Sequence, residues 1–254
     1  MTLPVIVICG APAWAEAAAR QLQDAYAVRL YRERVSLVAR LADDGAAFIL
    51  VDGADPDWLA WVTTPKTSPA TRRIPIVVVA NDRARRADAL DAGADLALGL
   101  EELLADLPAL TRDYARVPDA AYQEALACGC QEPLPPLARE GVARFNAGEY
   151  YAQHDLFEEQ WMNTEGPVRD LYRAILQVGV AYYQIERGNY RGALKMLLRS
   201  VQWLALLPDV CQGVDVKQLR DDSYRVRAAL ERMNPGDIAR FDRGLLKPVR
   251  LVKP

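Results

Sequence analysis

The chain has 254 residues, of which 51% are hydrophobic, and its 34 acidic and 31 basic residues leave a formal net charge of −3. This length favours two hydrophobic cores, because single cores stop growing at about 250–300 residues. The balanced charge excludes the strong basic field of proteins that bind nucleic acid or anionic membranes. No window approaches the roughly 18 uninterrupted apolar residues of a membrane-spanning helix, and the first apolar run lacks the features of a signal peptide. We therefore expect a soluble, cytoplasmic protein that binds neither nucleic acid nor membrane.

The first part of the chain alternates strand and helix signals. Short apolar runs predict strands at residues 5–9, 26–31, 47–51, 74–80 and 96–98. Helices are predicted at residues 12–22, 35–41 and 101–110. Because the strand runs are continuously apolar, both faces of the sheet should be covered, which indicates a parallel sheet with helices on each side. The predicted fold class of this part is a flavodoxin-like α/β domain.

The second part of the chain has only helical periodicity, so the fold class predicted for it is an all-helical bundle. Prolines and a glycine interrupt the segment between the two parts, which places a linker at residues 113–133. The first domain is then residues 1–112, and residues 134–254 form a helical domain with an irregular tail from residue 235. Its predicted helices cover residues 137–146, 150–163, 168–187, 190–207 and 216–233.

A short pattern occurs twice in the helical part, about forty residues apart. Each copy has Gly-Val-Ala followed by Gly-x-Tyr, and the copies end at Tyr150 and Tyr190. A repeat of this kind predicts two helical hairpins of similar build.

The four cysteines do not form the paired spacing of a zinc or thioredoxin-type redox site. Cys128 and Cys130 are the only close pair, and a disulfide across one residue is strained. In a reducing cytosol we expect both thiols to be free and to act as small apolar side chains.

Three features of the first domain resemble a response-regulator receiver: Asp52 after the third strand, the strand at residues 74–79, and the segment at residues 89–95. In that family an acidic pair after the first strand holds Mg²⁺, a Thr or Ser follows the fourth strand, and a Lys follows the fifth. The corresponding places here hold Cys9-Gly10-Ala11, Ala80 and Gly99-Leu100. The resemblance therefore implies a pseudo-receiver without a phosphorylation site, and the turn after the first strand lacks the glycine spacing of a nucleotide site.

The only histidine of the chain, His154, lies in a strongly aromatic helical segment. At helical spacing it shares a face with five other residues, Tyr150, Phe157, Glu158, Trp161 and Glu165. His154 and Glu158 are i and i+4 neighbours on that face. The pair is either a buried, hydrogen-bonded structural contact or the centre of a site.

Several separated motifs resemble the bacterial and archaeal helical family known as domain of unknown function 309. They span about residues 134–207, and the positions that match are His154, Glu158, Trp161, Gln177, Gly188, Asn189, Gly192 and Ala193. Asp155 stands where the family usually has Glu, and Gln184 where many members have His. The resemblance implies no known activity, and the second departure excludes a two-histidine site.

We therefore predict that His154, Glu158, Trp161 and Gln177 converge on one binding site between the second and third helices of this domain. No metal ligands and no cofactor are predicted. The first functional hypothesis is a regulatory or adaptor protein in signalling, in which the pseudo-receiver is an interaction domain and the helical domain binds a protein partner or small molecule; a homodimer is left open. The alternative is a small-molecule enzyme, for example a hydrolase, that uses His154 and Glu158 as an acid/base pair.

Overall fold

The computed structural model describes residues 3–252. The chain divides into two compact units, the first ending at Val117 and the second beginning at Pro118. We call them the first unit and the second unit. Among the described residues, no helix combines the length and the apolar composition that are needed to cross a membrane.

A five-stranded parallel sheet forms the centre of the first unit. Its strands are β1 (Val5–Cys9), β2 (Ala27–Tyr31), β3 (Ala46–Asp52), β4 (Ile76–Val79) and β5 (Leu96–Leu98). They lie in the order β2-β1-β3-β4-β5, which is the flavodoxin-like order of doubly wound folds. Each strand coincides with a segment predicted from an apolar run to within three residues at either end, and the predicted fold class of this part is confirmed.

Helices cover both faces of the sheet. They are α1 (Ala15–Leu22), α2 (Leu37–Asp43), α3 (Trp58–Thr67), α4 (Arg83–Asp91) and α5 (Leu100–Tyr114). Alternate strand residues point to opposite faces. Ile8 and Leu50 belong to a core shared with α1 and α5, whereas Ile49 and Val78 belong to a core shared with α2, α3 and α4. The continuous apolar strand sequences therefore reflect burial on both sides.

Two of these helices, α3 and α4, are not predicted by the sequence pattern. Helix α3 buries one face, Trp58, Trp61, Val62 and Pro65, but this face includes a proline and the apolar Leu59 beside it is exposed. Helix α4 is mostly charged, and Ala89 is its only buried residue. Helix α4 therefore lacks the amphipathic period by which a surface helix is identified in a sequence, and in α3 that period is obscured by the proline and by the exposed leucine.

The second unit is a helical bundle. Its helices are α6 (Ala120–Gln131), α7 (Pro136–Asn146), α8 (Tyr150–Met162), α9 (Arg169–Glu186), α10 (Tyr190–Leu204) and α11 (Val216–Glu231). A short hairpin of two strands, β6 (Val210–Cys211) and β7 (Val214–Asp215), separates α10 from α11. Helices α7 to α11 correspond to the predicted helices with ends within three residues, which confirms the all-helical class of this part.

The repeated sequence pattern corresponds to two helical turns of the same build. Gly148 ends α7 and Gly188 ends α9, with φ of +79° and +70°, a conformation that glycine adopts without strain. In both turns the residue after the glycine donates its backbone N–H to the carbonyl five positions earlier, at 2.9 Å and 2.8 Å. The helices α8 and α10 then begin at Tyr150 and Tyr190.

The segment predicted as a linker, residues 113–133, is largely helical. Helix α6 fills most of it and is capped at its N-terminus by Asp119, whose side chain accepts a hydrogen bond from the backbone N–H of Tyr122. The prolines that suggested a linker flank this helix and do not interrupt it.

The tail from residue 235, which was expected to be irregular, has short 3-10 helices followed by an extended stretch. In that stretch Val249 exchanges two hydrogen bonds with the Asn146 side chain, at 2.7 and 2.9 Å.

The expectation that Cys130 is a free thiol is wrong. Cys130, near the end of α6, forms a disulfide with Cys211 of β6, 81 residues later in the chain. Cys9 and Cys128 are free. A partner so distant in sequence is brought close only by the packing of the bundle, so the spacing of the cysteines gave no signal for it.

Candidate functional site

The carboxyl-terminal edge of the sheet holds the receiver-like positions of the first unit. Asp52 is the last residue of β3, and its Oδ1 accepts a hydrogen bond from the backbone N–H of Ala54 at 3.0 Å. Ala80 follows β4, and Gly99 follows β5 and directly precedes α5. At these two positions the chain therefore presents neither the hydroxyl nor the ammonium group that the receiver resemblance requires.

A second carboxylate near this edge was missed by the sequence analysis. Asp55 follows β3 and lies against Gly10, where an added Cβ would come to 2.6 Å from Asp55 Oδ2. Its Oδ1 accepts the backbone N–H of Asp57 at 2.8 Å, so one oxygen stabilises the turn. The adjacent Cys9 is buried, and burial raises the pKa of its thiol. Cys9 is therefore a neutral group at this edge at physiological pH.

A cavity of about 360 Å³ opens beside Asp52. Two of its polar groups already have partners: Asn81 Oδ1 accepts the backbone N–H of Leu100 at 3.0 Å, and the Asp82 carboxylate accepts two backbone N–H groups at the start of α4. The cavity is lined by Trp14, Asp52, Gly53, Ala54, Val79, Ala80, Asn81, Asp82, Arg85 and Leu100. This is the end of the sheet at which open α/β folds bind ligands.

His154 and Glu158 of the second unit lie at the rim of the bundle. The His154 side chain is 32% exposed, and its Nδ1 lies 3.0 Å from Asp155 Oδ1. Glu158 is exposed. Within residues 3–252 no hydrogen bond joins the His154 ring to the Glu158 carboxylate. The partner of the ring is Asp155, which stands where the family pattern usually has Glu. These contacts do not add support to the acid/base hypothesis.

The buried polar residue of α8 is Gln153, which the sequence analysis did not single out. Gln153 is fully buried, and its Nε2 donates to the carbonyl of Tyr150 at 3.0 Å and to that of Leu176 on α9 at 3.5 Å. A Cβ at Gly179 would collide with this amide. The sequence did contain a signal for the burial of Gln153. It lies three residues after Tyr150 and four before Phe157, on the helix face that these two aromatic residues bury.

Trp161 is half-buried and lies between two arginines of α9. The guanidinium carbons of Arg169 and Arg173 are 4.8 Å and 4.7 Å from its ring centroid. Contacts of this kind are cation–π interactions, and they hold the indole in place at the edge of α8.

Gln177 is buried on α9. Its Oε1 has no hydrogen-bond partner among residues 3–252. Within those residues, no hydrogen bond or ring contact connects Gln177 with His154, Glu158 or Trp161. The convergence of all four on one site stays a prediction. The same part of the chain contains no group of three or more His, Cys, Asp or Glu side chains that could hold a metal ion.

Comparison with known proteins places a family within the second unit. Residues 138–196 match the family described as "Domain of unknown function (DUF309)". An "Uncharacterized protein" of Aquifex aeolicus (strain VF5) is 22% identical over 103 residues, which are 40% of this chain and 31% of that protein. The match thus spans about a third of the relative's length.

A solved structure is similar to the other part of the chain. The crystal structure of the Mn(2+)-bound form of response regulator Rcp1 covers 45% of this chain and 96% of its own, with a TM-score of 0.37 and 15% identity. The order of the sheet strands, described above, defines the fold of the first unit independently of that similarity. The similarity to DUF309 lies in the second unit, at residues 138–196.

Proposed function

We propose that this protein is a cytoplasmic regulatory or adaptor protein that acts in signalling without being phosphorylated. The first unit supplies an interaction surface, and the second unit binds a protein partner or a small molecule. One observation carries the proposal: the sheet edge that would perform phosphoryl transfer in a receiver has Ala80 and Gly99-Leu100 at two of its chemical positions.

The chemistry of phosphoryl transfer supports this interpretation. A magnesium ion needs six oxygen ligands in nearly octahedral geometry, and developing charge on the transferred group must be neutralised. Asp52 and Asp55 provide two carboxylates near the edge, and each already accepts a backbone N–H through its Oδ1. The methyl group of Ala80 and the side chain of Leu100 can neither donate a hydrogen bond nor carry a charge. The first unit keeps the fold of a receiver but not its chemical groups. By analogy of fold, we assign it a role as an interaction surface.

In the second unit we assign partner binding to the surface of α8 that contains His154, Glu158 and Trp161. An imidazole, a carboxylate and an indole lie along one side of the helix, and Arg169 beside the indole adds positive charge. Tryptophan and arginine are enriched among the residues that dominate protein interfaces. A protein partner, a small molecule and a second copy of the chain are all compatible with this surface.

Phosphorylation tests the proposal directly. The full chain is incubated with acetyl phosphate and Mg²⁺, and intact mass spectrometry compares it with Asp52→Asn and Asp55→Asn variants. We expect all three proteins to remain unmodified. A phosphoryl adduct on the wild type that is absent from Asp52→Asn would contradict the proposal.

The enzyme alternative has its own test. The wild type, His154→Gln and Glu158→Gln are assayed for hydrolysis of activated nitrophenyl esters. We expect no turnover above buffer for any of them. Turnover by the wild type that both substitutions abolish would replace the adaptor proposal with a hydrolase.

A further inference from the structure

The disulfide of the second unit joins two segments that are also held together by hydrogen bonds. Cys130 and Cys211 have Cα atoms 4.3 Å apart. The next residue, Gln212, is buried; its backbone N–H donates to the Cys130 carbonyl at 2.7 Å, and its Nε2 donates to the Gly129 carbonyl at 3.1 Å. The Tyr172 hydroxyl donates to Gln212 Oε1 at 2.7 Å. These bonds position α6 against the β6–β7 hairpin independently of the sulfur atoms, since none of them involves Sγ.

Gln212 also has an uncommon backbone conformation. Its φ is +50°, which is strained for a residue with a side chain and persists only where surrounding contacts hold it. The three hydrogen bonds supply that restraint. With the disulfide broken, they keep the two thiols near each other, so the pair is preorganised to form the bond again.

The two cysteines of the disulfide differ in exposure. Cys211 is fully buried, whereas Cys130 is half-buried. An external thiolate therefore reaches the Cys130 side of the bond. Cys128 is exposed and lies two residues before Cys130 on α6. Residues two apart on a helix do not face each other, so Cys128 is poorly placed to exchange with this bond.

We propose that Cys130 and Cys211 form a reversible oxidation site that equilibrates with cellular thiols and controls how tightly α6 is held to the hairpin. Cytosolic glutathione and dithiols maintain most thiols in the reduced state, so a buried disulfide there is conditional on the redox state. This inference rests on the cytoplasmic location proposed above but not on the adaptor role, and its test in vitro is independent of both.

The chemistry balances as two exchange steps. A thiolate of an external dithiol attacks Cys130 Sγ, the Cys130–Cys211 bond breaks, and Cys211 leaves as a thiolate that takes up a proton. The second thiolate of the dithiol then attacks the mixed disulfide and releases Cys130 as a thiol. The dithiol loses two electrons and the protein pair gains them; glutathione disulfide reverses the exchange.

The test uses the folded full chain and four variants: Cys130→Ser, Cys211→Ser, Gln212→Gly and, as the matched control, Cys128→Ser. Each protein is treated with dithiothreitol and then with glutathione disulfide. Peptide mapping identifies the linked cysteines, and thermal unfolding is measured in both states. We expect the wild type and Cys128→Ser to form the Cys130–Cys211 link reversibly. The oxidised form should melt higher by on the order of 10 °C, because the bond closes a long loop.

The variants identify the cause of this shift. Cys130→Ser and Cys211→Ser should show the same melting temperature in both states. Gln212→Gly keeps the positive φ and removes the side-chain bonds, and its reduced form should reoxidise roughly tenfold more slowly. Three results would overturn the proposal: a link through Cys128, a wild-type pair that stays reduced in glutathione disulfide, or a disulfide that dithiothreitol cannot reduce until the protein unfolds.

Discussion

The two units fill their interiors in different ways. Among the described residues, the buried polar side chains of the first unit are Thr71 and Thr111, whereas those of the second unit are Gln153, Gln177, Ser200, Gln212, Asp222, Ser223 and Arg227. The strands of a sheet are joined by backbone hydrogen bonds, so apolar side chains suffice to fill the space between the sheet and its helices. Helices satisfy their own backbone, and only side chains can decide which helices meet and in what register. Interactions such as that of Gln153 with the carbonyl of Leu176 therefore matter more in the second unit.

The largest effect should come from the aromatic contact between α7 and α8. Phe157 is fully buried, and its ring lies where a Cβ on Gly141 would come to 2.8 Å. We expect Phe157→Ala to lower the free energy of unfolding by about 3–5 kcal/mol, because a large cavity is left. Met162→Ala, at an exposed position of the same helix, should change it by less than about 0.5 kcal/mol. Urea denaturation followed by circular dichroism measures both; equal small effects would mean that shape does not specify this helix pair.

A smaller loss is expected when one buried hydrogen bond of the second unit is removed. Tyr172→Phe deletes the hydroxyl that donates to Gln212 Oε1 and leaves that acceptor buried without this donor. We expect the free energy of unfolding to fall by about 1–3 kcal/mol. Tyr183→Phe is the matched control, because among residues 3–252 its hydroxyl has one hydrogen-bond contact, a long one of 3.4 Å that it accepts from Arg187 at the surface. If the two variants unfold at the same urea concentration, the contrast between the units loses its basis.

The buried thiol of Cys9 should make the stability of the first unit depend on pH in the alkaline range. Burial raises the pKa of Cys9 in the folded state, so folding favours the protonated thiol. Its contribution to stability is fully present below the unfolded pKa of about 8.5 and falls by about 1.4 kcal/mol per pH unit above it, until the folded pKa is reached.

A series of urea unfolding curves between neutral pH and pH 10 checks this slope. Cys9→Ala should flatten the alkaline fall, and exposed Cys128→Ser should leave it unchanged. An unchanged slope in Cys9→Ala would show that the thiol ionises as readily in the folded chain as in the unfolded chain.

The smallest effect on stability is expected at Glu158. Because this side chain is exposed, Glu158→Gln should alter the free energy of unfolding by less than about 0.5 kcal/mol. Glu159→Gln, at the neighbouring exposed position, is the control. A loss above 1 kcal/mol for Glu158→Gln alone would indicate a structural partner for this carboxylate, and loss of binding without loss of stability would identify it as a contact residue.

The candidate site was less predictable than the fold. His154 attracted attention because it is the only histidine, and helical spacing suggested Glu158 as its partner. The structure instead pairs His154 with Asp155 and buries Gln153. A difference of one residue rotates a side chain by about 100° around a helix, and the pattern of apolar residues on α8 did not resolve which position faces α9.

The sequence by itself determined the two fold classes, the five strands and most of the helices, because burial imposes a local period of apolar residues on each element. It also placed Asp52, Ala80 and Gly99 at the carboxyl ends of their strands, since the apolar runs mark where each strand ends. Only the tertiary structure decided that Cys130 meets Cys211, that Asp55 lies beside Gly10 and that Gln153 fits against Gly179. These contacts depend on the distance and angle between packed elements, for which a local period carries no information.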